Sequence, residues 1–267
     1  NHNPDTPTDD VIRGGVAVEL VHQGSLYHDD VMDRAQTRRN AKSVNAQWGN
    51  REAILAGDYL LARASEIAAD LGTEVAGLLA STIAALCEGQ ISEVRSCFDT
   101  NRSEEEYLAS ISGKTAALLA TSARIGAIVA QYPRATVSAV ASFGHHYGLA
   151  FQIVDDLLDV MATEKQLGKP AGNDLVEGVY TLPVIRTLAG PAGPELRSML
   201  GVSIDIDTRD RARDLIRADA AIGETITTAG RFIDRARRAL EPLPSTPAVR
   251  ALHKSCALLS DQMSVFD

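Results

Sequence analysis

Apolar residues recur at three- and four-residue intervals along most of the chain, the period of a helix face rather than of a strand. Val16 to Asp33 reads as one helix. A second spans about Arg51 to Ala69 and stops at Leu71-Gly72, and a third covers Glu74 to Cys97. Ser103 reads as an N-cap for a helix whose first turn carries Glu104, Glu105 and Glu106 and which ends near Gly113. Lys114 to about Gln131 follows, Pro133 breaks the chain, and Thr136 to Met161 forms a long helix. Gly168 to Gly178 is a loop, and Pro183 sits in the first turn of the next helix. Asp207 to Ala218, Ala221 to Leu240 and Ala248 to Gln262 close the sequence, with Pro242, Pro244 and Pro247 between the last two. No alternating β pattern persists and no interior linker or repeat interrupts the series. One all-α domain over residues 1–267 is the expected organisation.

Composition narrows the function. With 267 residues and 45% hydrophobic content the chain is long enough for a sizeable core. Its net charge of −9 argues against nucleic acid as the main partner, because phosphate backbones select basic surfaces. Anionic substrates remain compatible if metal ions supply local positive charge. Cys87, Cys97 and Cys256 form no C-x-x-C pair, as expected of a reduced cytoplasmic protein. No stretch reads as long and apolar enough for a transmembrane segment.

Two acidic clusters stand out: Asp29-Asp30-Val31-Met32-Asp33 and Asp155-Asp156-Leu157-Leu158-Asp159. Positions i and i+4 share a helix face, so Asp29 stacks with Asp33 and Asp155 with Asp159. Such like-charge pairs weaken a helix, and burying them uncompensated costs more. Either cluster alone reads equally as a solvated helix end. Two with identical spacing, the second after the apolar run Ala150-Phe151-Gln152-Ile153-Val154, point to a hard-oxygen cation site completed by substrate phosphates. By contrast Asp205, Asp207, Asp210 and Asp214 alternate with Arg209, Arg211 and Arg213, which reads as a solvated face.

The clusters resemble the two D-D-x-x-D motifs of the trans-isoprenyl diphosphate synthases, or polyprenyl synthetases. The resemblance runs from about Val11 to the end. It includes Glu19-Leu20-Val21-His22, Arg38-Arg39, Gln47-Trp48-Gly49-Asn50, Ala56-Gly57-Asp58-Tyr59-Leu60, Glu88-Gly89-Gln90 with Glu93, Gly113-Lys114-Thr115, Gly168-Lys169-Pro170 and Asn173-Asp174-Leu175. It implies an antiparallel helical bundle around a deep central cavity, the isoprenoid synthase fold, as a homodimer. It also implies a prenyltransferase that condenses isopentenyl diphosphate with an allylic diphosphate, releasing pyrophosphate. Three Mg²⁺ ions are implied, with Mn²⁺ able to substitute, held chiefly by Asp29, Asp33 and Asp155 and supported by Asp30, Asp156 and Asp159. Lys114, Lys169 and Arg38 correspond to groups on the allylic diphosphate, and Arg39 and His22 to groups on isopentenyl diphosphate. Thr115 and Gln152 correspond to residues lining the reacting end. No side-chain nucleophile or base is required, since the proton goes to the released pyrophosphate.

Departures from the family pattern are informative. A Lys/Arg segment expected upstream of the first motif is absent, and Arg13-Gly14-Gly15 does not replace it. With Asn1 in first place, the expectation is a chain lacking its N-terminal helices. Val179 stands where many relatives have Lys. Gly24 and Ser25, at the positions where early-stopping members carry bulky aromatics, imply a product of geranylgeranyl length or longer. A class I terpene cyclase would carry an Asn/Asp–Ser–Glu second site, and a squalene-type enzyme D-x-x-x-D spacing; neither is present. A non-catalytic subunit of a heteromeric synthase would be expected to lose aspartates, and both motifs are intact.

Overall fold

The computed structural model describes residues 7–39, 41–163 and 171–263. It is all-α, as the periodicity implies. The one sheet among the described residues is a ribbon pairing Thr37–Arg38 (β1) with Ala41–Lys42 (β2). The chain divides into two compact units, Asn1–Ala84 with Thr121–Ser138, and Ala85–Ala120 with Ala139–Asp267. Each is described in turn.

In the first unit, α1 (Asp9–Met32) begins earlier than the apolar pattern suggests. Thr8 caps it by accepting from the Val11 amide, and Asp9 and Asp10 sit favourably in its first turn. After β1 and β2 come α2 (Val44–Trp48), capped by Ser43, and α3 (Asn50–Asp70). Small residues bury on both long helices: Gly14, Ala17, Val21 and Gly24 on α1, and Ala53, Gly57, Ala64 and Ala68 on α3. Close packing follows. A Cβ on Gly24 would lie 3.0 Å from the Gly57 carbonyl oxygen.

Helix α4 (Thr73–Arg95) supplies Glu74, which pairs with Arg134, and Thr82, whose hydroxyl meets that of Thr121 at 2.6 Å. Among the described residues it is the one helix long and apolar enough, by length and composition, to cross a membrane. That corrects the expectation that no stretch would qualify. Ala, Leu, Ile and Gly dominate it, and they equally suit close helix packing.

The second unit begins within α4 and continues through α5 (Glu104–Ile111), which opens on a capping box between Ser103 and Glu106. The expected break near Gly113 does not occur. The chain passes through a π-helical turn, Ser112–Ala116, into α6 (Ala117–Val129). Gly113 serves close approach instead: a Cβ there would sit 2.7 Å from the Ala85 carbonyl oxygen, and one on Gly89 2.6 Å from the Lys114 amide nitrogen. The backbones of α4 and the π turn therefore touch.

Helix α7 (Arg134–Met161) presses on the other side of that turn. A Cβ on Gly148 would meet the Ala116 Cα at 2.6 Å, and one on Gly144 the Leu119 carbonyl oxygen at 2.6 Å. Within the expected 168–178 loop lies a short helix, α8 (Asn173–Glu177), bounded by Gly172 and Gly178 at φ 73° and 76°. Then follow α9 (Leu182–Ala189) with Pro183 in its first turn, and the unanticipated short helix α10 (Gly193–Met199). α11 (Ile206–Arg217), α12 (Ala221–Leu240) and α13 (Pro247–Met263) complete the unit. Its core gathers Ile153, Leu157 and Val160 of α7 with Tyr107, Leu175, Leu182, Ile216, Ile233 and Leu259.

The backbone contacts at Gly89 leave no room for a methyl group. Gly89→Ala should lower stability by about 1–3 kcal/mol through overpacking against the π turn. The midpoint of urea unfolding, with an unchanged slope, measures this.

Candidate active site

In the first unit the aspartates occupy the last turn of α1. Asp33 is its C-cap, its amide donating to the Asp29 carbonyl at 2.8 Å. Asp29 is half-buried and Asp33 exposed, while Asp30 is only 1% exposed. A buried carboxylate requires compensation. The β1–β2 ribbon turns back, with Arg39 at φ 51°, and sets the Arg38 guanidinium on Asp30 Oδ1, with Nε at 2.9 Å and Nη2 at 2.5 Å. Asn45 Nδ2 donates to the Asp30 and Ala35 carbonyls at 3.0 and 3.1 Å. Arg38, expected on a diphosphate, is thus engaged by the middle aspartate with its side chain 40% exposed. Arg39 is exposed.

His22 is half-buried on α1, and the Ser25 hydroxyl donates to its carbonyl at 2.8 Å. Gly24 is turned onto α3, so a side chain there would meet Gly57 and Leu61. His28, within the first motif's neighbourhood, packs across Gly57 with Nε2 3.2 Å from the Ile54 carbonyl and 3.4 Å from Asp58.

In the second unit the aspartates occupy the last two turns of α7. Asp155 is exposed, whereas Asp156 and Asp159 are buried. Asp156 is held on both oxygens: the Tyr107 hydroxyl donates to Oδ2 at 2.5 Å and Gln152 Nε2 to Oδ1 at 2.8 Å. Burial pushes the Asp156 carboxyl up to about 7, against the lowering effect of those two hydrogen bonds. Gln152 Oε1 in turn accepts from the Thr115 hydroxyl at 2.7 Å. Lys114, the neighbouring residue on the π turn, pairs with Glu93 of α4 at 2.5 Å. A π turn widens the helix and re-aims its side chains, and here it carries both residues. The Asp174 amide approaches Asp159 Oδ2 at 3.4 Å. Lys169 lies outside the described residues.

The end of α7 is closed by α11. Arg213 donates to the Val160 and Ala162 carbonyls at 3.0 and 2.8 Å, and Arg217 to the Val160 and Met161 carbonyls at 2.9 and 3.2 Å. Two guanidinium groups thereby offset the negative end of the helix beside the aspartates. Asp205, Asp207, Asp210, Asp214 and Arg211 are exposed, as expected of a solvated face, whereas Arg209 and Arg213 are buried. The spacing Arg209, Ala212, Arg213, Ile216 is a helical face, and it is the signal by which the sequence could have revealed them. Tyr107 was also missed, since a lone tyrosine reads as an ordinary core residue.

Among the described residues no group of three or more His, Cys, Asp and Glu side chains forms a ready-made metal cage. The donors fit a different mode. Mg²⁺ binds through one or two carboxylates plus phosphates and keeps its waters. Asp29 with Asp33, and Asp155, supply accessible hard oxygens of that kind.

Comparison with known proteins gives the same direction. A family model described as polyprenyl synthetase matches residues 2–216. The nonaprenyl diphosphate synthase of Mycobacterium tuberculosis is 41% identical over 241 residues, covering 89% of this chain and 72% of the relative. Heptaprenyl diphosphate synthase component 2 of Geobacillus stearothermophilus is 39% identical over 244 residues, covering 91% and 76%. A crystal structure of a polyprenyl synthase from Caulobacter crescentus, complexed with calcium and isoprenyl diphosphate, superposes with a TM-score of 0.89 at 33% identity, covering 97% of this chain and 80% of that one.

Proposed function

The chain belongs to the polyprenyl synthetase family, all-α trans-prenyl diphosphate synthases, and from that premise we propose that it lengthens an allylic diphosphate by adding isopentenyl diphosphate. The observation that carries the reading is the shared design of the two motifs. In each, the middle aspartate is buried and clamped, Asp30 by Arg38 and Asp156 by Tyr107 and Gln152, while the first stays accessible.

Asp29, Asp33 and Asp155 hold Mg²⁺, three ions in all and replaceable by Mn²⁺. The metal supplies positive charge to the diphosphate leaving group. Calcium in the Caulobacter structure supports a divalent site. By the family resemblance Lys114, Arg38 and Lys169 serve the allylic diphosphate, and Arg39 and His22 isopentenyl diphosphate. Asp30, Asp156 and Asp159 act from behind as the groups that fix these elements. The allylic C–O bond breaks, the terminal alkene carbon of isopentenyl diphosphate forms the new C–C bond, and the proton lost from the adjacent carbon goes to pyrophosphate. Thr115 and Gln152 border the allylic carbon. The residues bring the reactants together and exclude water.

A homodimer belongs to the proposal. Leu55 and Tyr59, one turn apart on α3, are 67% and 64% exposed and continue into Ala62, an apolar stripe suited to a second copy. A cytoplasmic location is included, supported by the free cysteines Cys87, Cys97 and Cys256. A second reading is favoured by one observation: a relative is named as component 2 of its synthase. On that reading the chain catalyses only beside a partner subunit. For product length we propose geranylgeranyl or longer. Ser25 lies one turn, about 5.4 Å, before Asp29 on α1 and keeps a small side chain there. Matching relatives are named for products as short as farnesyl and as long as decaprenyl, so the length is a property to be measured on this chain.

Asp29→Ala and Asp155→Ala should each lower isopentenyl incorporation by orders of magnitude with the helical spectrum retained, and excess chelator should abolish it. Near-normal rates in either variant overturn the metal assignment. Assaying the chain alone and with a candidate partner separates the two readings.

Ser25→Phe should shorten the product, read as chain length after dephosphorylation. Gly24 is an unsuitable probe because any side chain there strikes α3. Wild type stopping at farnesyl diphosphate would refute the length proposal.

Leu55→Glu combined with Tyr59→Glu should convert a dimer into monomers by light scattering. An unchanged mass assigns the dimer to another surface.

A further inference from the structure

Tyr107 is 1% exposed and, with Asp156, is the start of a hydrogen-bonded chain whose direction can be read atom by atom. The Tyr107 hydroxyl donates a hydrogen bond to Asp156 Oδ2, 2.5 Å away. The other oxygen, Oδ1, accepts from Gln152 Nε2 at 2.8 Å. An amide has one donor end and one acceptor end, so this contact fixes which way Gln152 points. Its carbonyl faces Thr115 and accepts that hydroxyl at 2.7 Å. Thr115 has then spent its only proton on Gln152, and its lone pairs are left for whatever it faces. The Arg102 guanidinium lies 5.6 Å from the centre of the Tyr107 ring and strengthens the phenol as a donor. Arg102 is itself buried and tied to the Tyr180 carbonyl at 3.0 Å, so the head of the chain is anchored.

We propose that Tyr107 is a positioning residue for prenyl transfer, acting through Asp156 to hold Gln152 in the orientation that makes Thr115 present oxygen lone pairs, not its proton, to the reacting carbon. The role rests on the reading that Thr115 and Gln152 border that carbon. The chemistry gives the orientation its value. Positive charge develops on the allylic carbon as the C–O bond breaks, and preorganised dipoles act strongly in a site that excludes water. A hydroxyl proton aimed at that carbon opposes the charge, whereas lone pairs stabilise it. Asp156, with both oxygens occupied, is on this account the hub of the relay and not a metal ligand.

The test is a double-mutant cycle of Tyr107→Phe and Thr115→Val in the full chain, with kcat and KM measured separately and folding checked by thermal melting. Tyr107→Phe should lower kcat about tenfold, the effect of losing about one oriented hydrogen bond, with KM for both substrates unchanged. In the Thr115→Val background the same substitution should have no further effect on kcat. Losses that multiply in the double variant, or a lowered melting temperature with kcat per folded molecule intact, reduce Tyr107 to a packing residue and overturn the proposal. If Tyr107→Phe fails to fold, 3-fluorotyrosine at position 107 keeps ring and hydroxyl and changes only donor strength. Then kcat should shift in the native background and stay constant with Thr115→Val; equal shifts in both overturn the relay. A wild-type chain that forms no prenyl product, alone or with a partner, overturns the functional reading itself and with it any role of Tyr107 in transfer.

Discussion

Carboxylates gathered at the C-terminal end of a helix repel one another and also face the negative end of the helix dipole. Both aspartate motifs stand in that position, on the last turns of α1 and α7. Much of the surrounding structure answers this one constraint. On α1 the answer is a turned-back ribbon that carries Arg38 onto Asp30 and an asparagine that ties the helix end to Ala35. On α7 it is a phenol and an amide on Asp156, with two arginines on the terminal carbonyls. In each motif the middle aspartate is taken up by neighbouring side chains, Asp30 by Arg38 and Asp156 by Tyr107 and Gln152, while Asp29 is half-buried and Asp155 exposed.

The second answer is steric. Glycines let three backbones converge on the stretch that carries Lys114 and Thr115: Gly89 from α4, Gly113 in the π turn, and Gly144 with Gly148 from α7. Gly144, Gly148 and Gln152 follow one another at four-residue steps, so the face of α7 that packs on the turn is the face that delivers Gln152 to Thr115. Packing and chemistry share one helix face.

The helices, and the place of both aspartate clusters at the ends of two of them, were legible because they depend on local spacing. Gln152 was legible for the same reason, lying on the same helix three positions before Asp155. Tyr107 was not, because its meaning comes from a contact with α7, far along the chain. A buried phenol needs a partner, but sequence does not say which. Arg213 was misread since alternating charge looks the same on a solvated face as on one whose arginines reach a neighbouring helix end. Gly113 was misread as a stop signal, because a glycine that permits close approach and a glycine that ends a helix are identical in a string of letters. Arg38 illustrates a further limit: its place after the motif was clear, but its engagement by Asp30 depends on the ribbon's turn.

The π turn has a bearing on how such a chain can change over time. In an unbroken α-helix, residues eight positions apart diverge by roughly 80° around the axis. Tyr107 and Thr115 have that separation, yet both reach α7, because the wider turn between them takes up part of the difference. The number of residues between the two is therefore a mechanical quantity, like the tooth count of a gear. Side chains along the segment can drift, but adding or removing one residue rotates one end away from α7. Surface loops absorb such length changes. This stretch, though it contains an irregularity, is not free to alter its count.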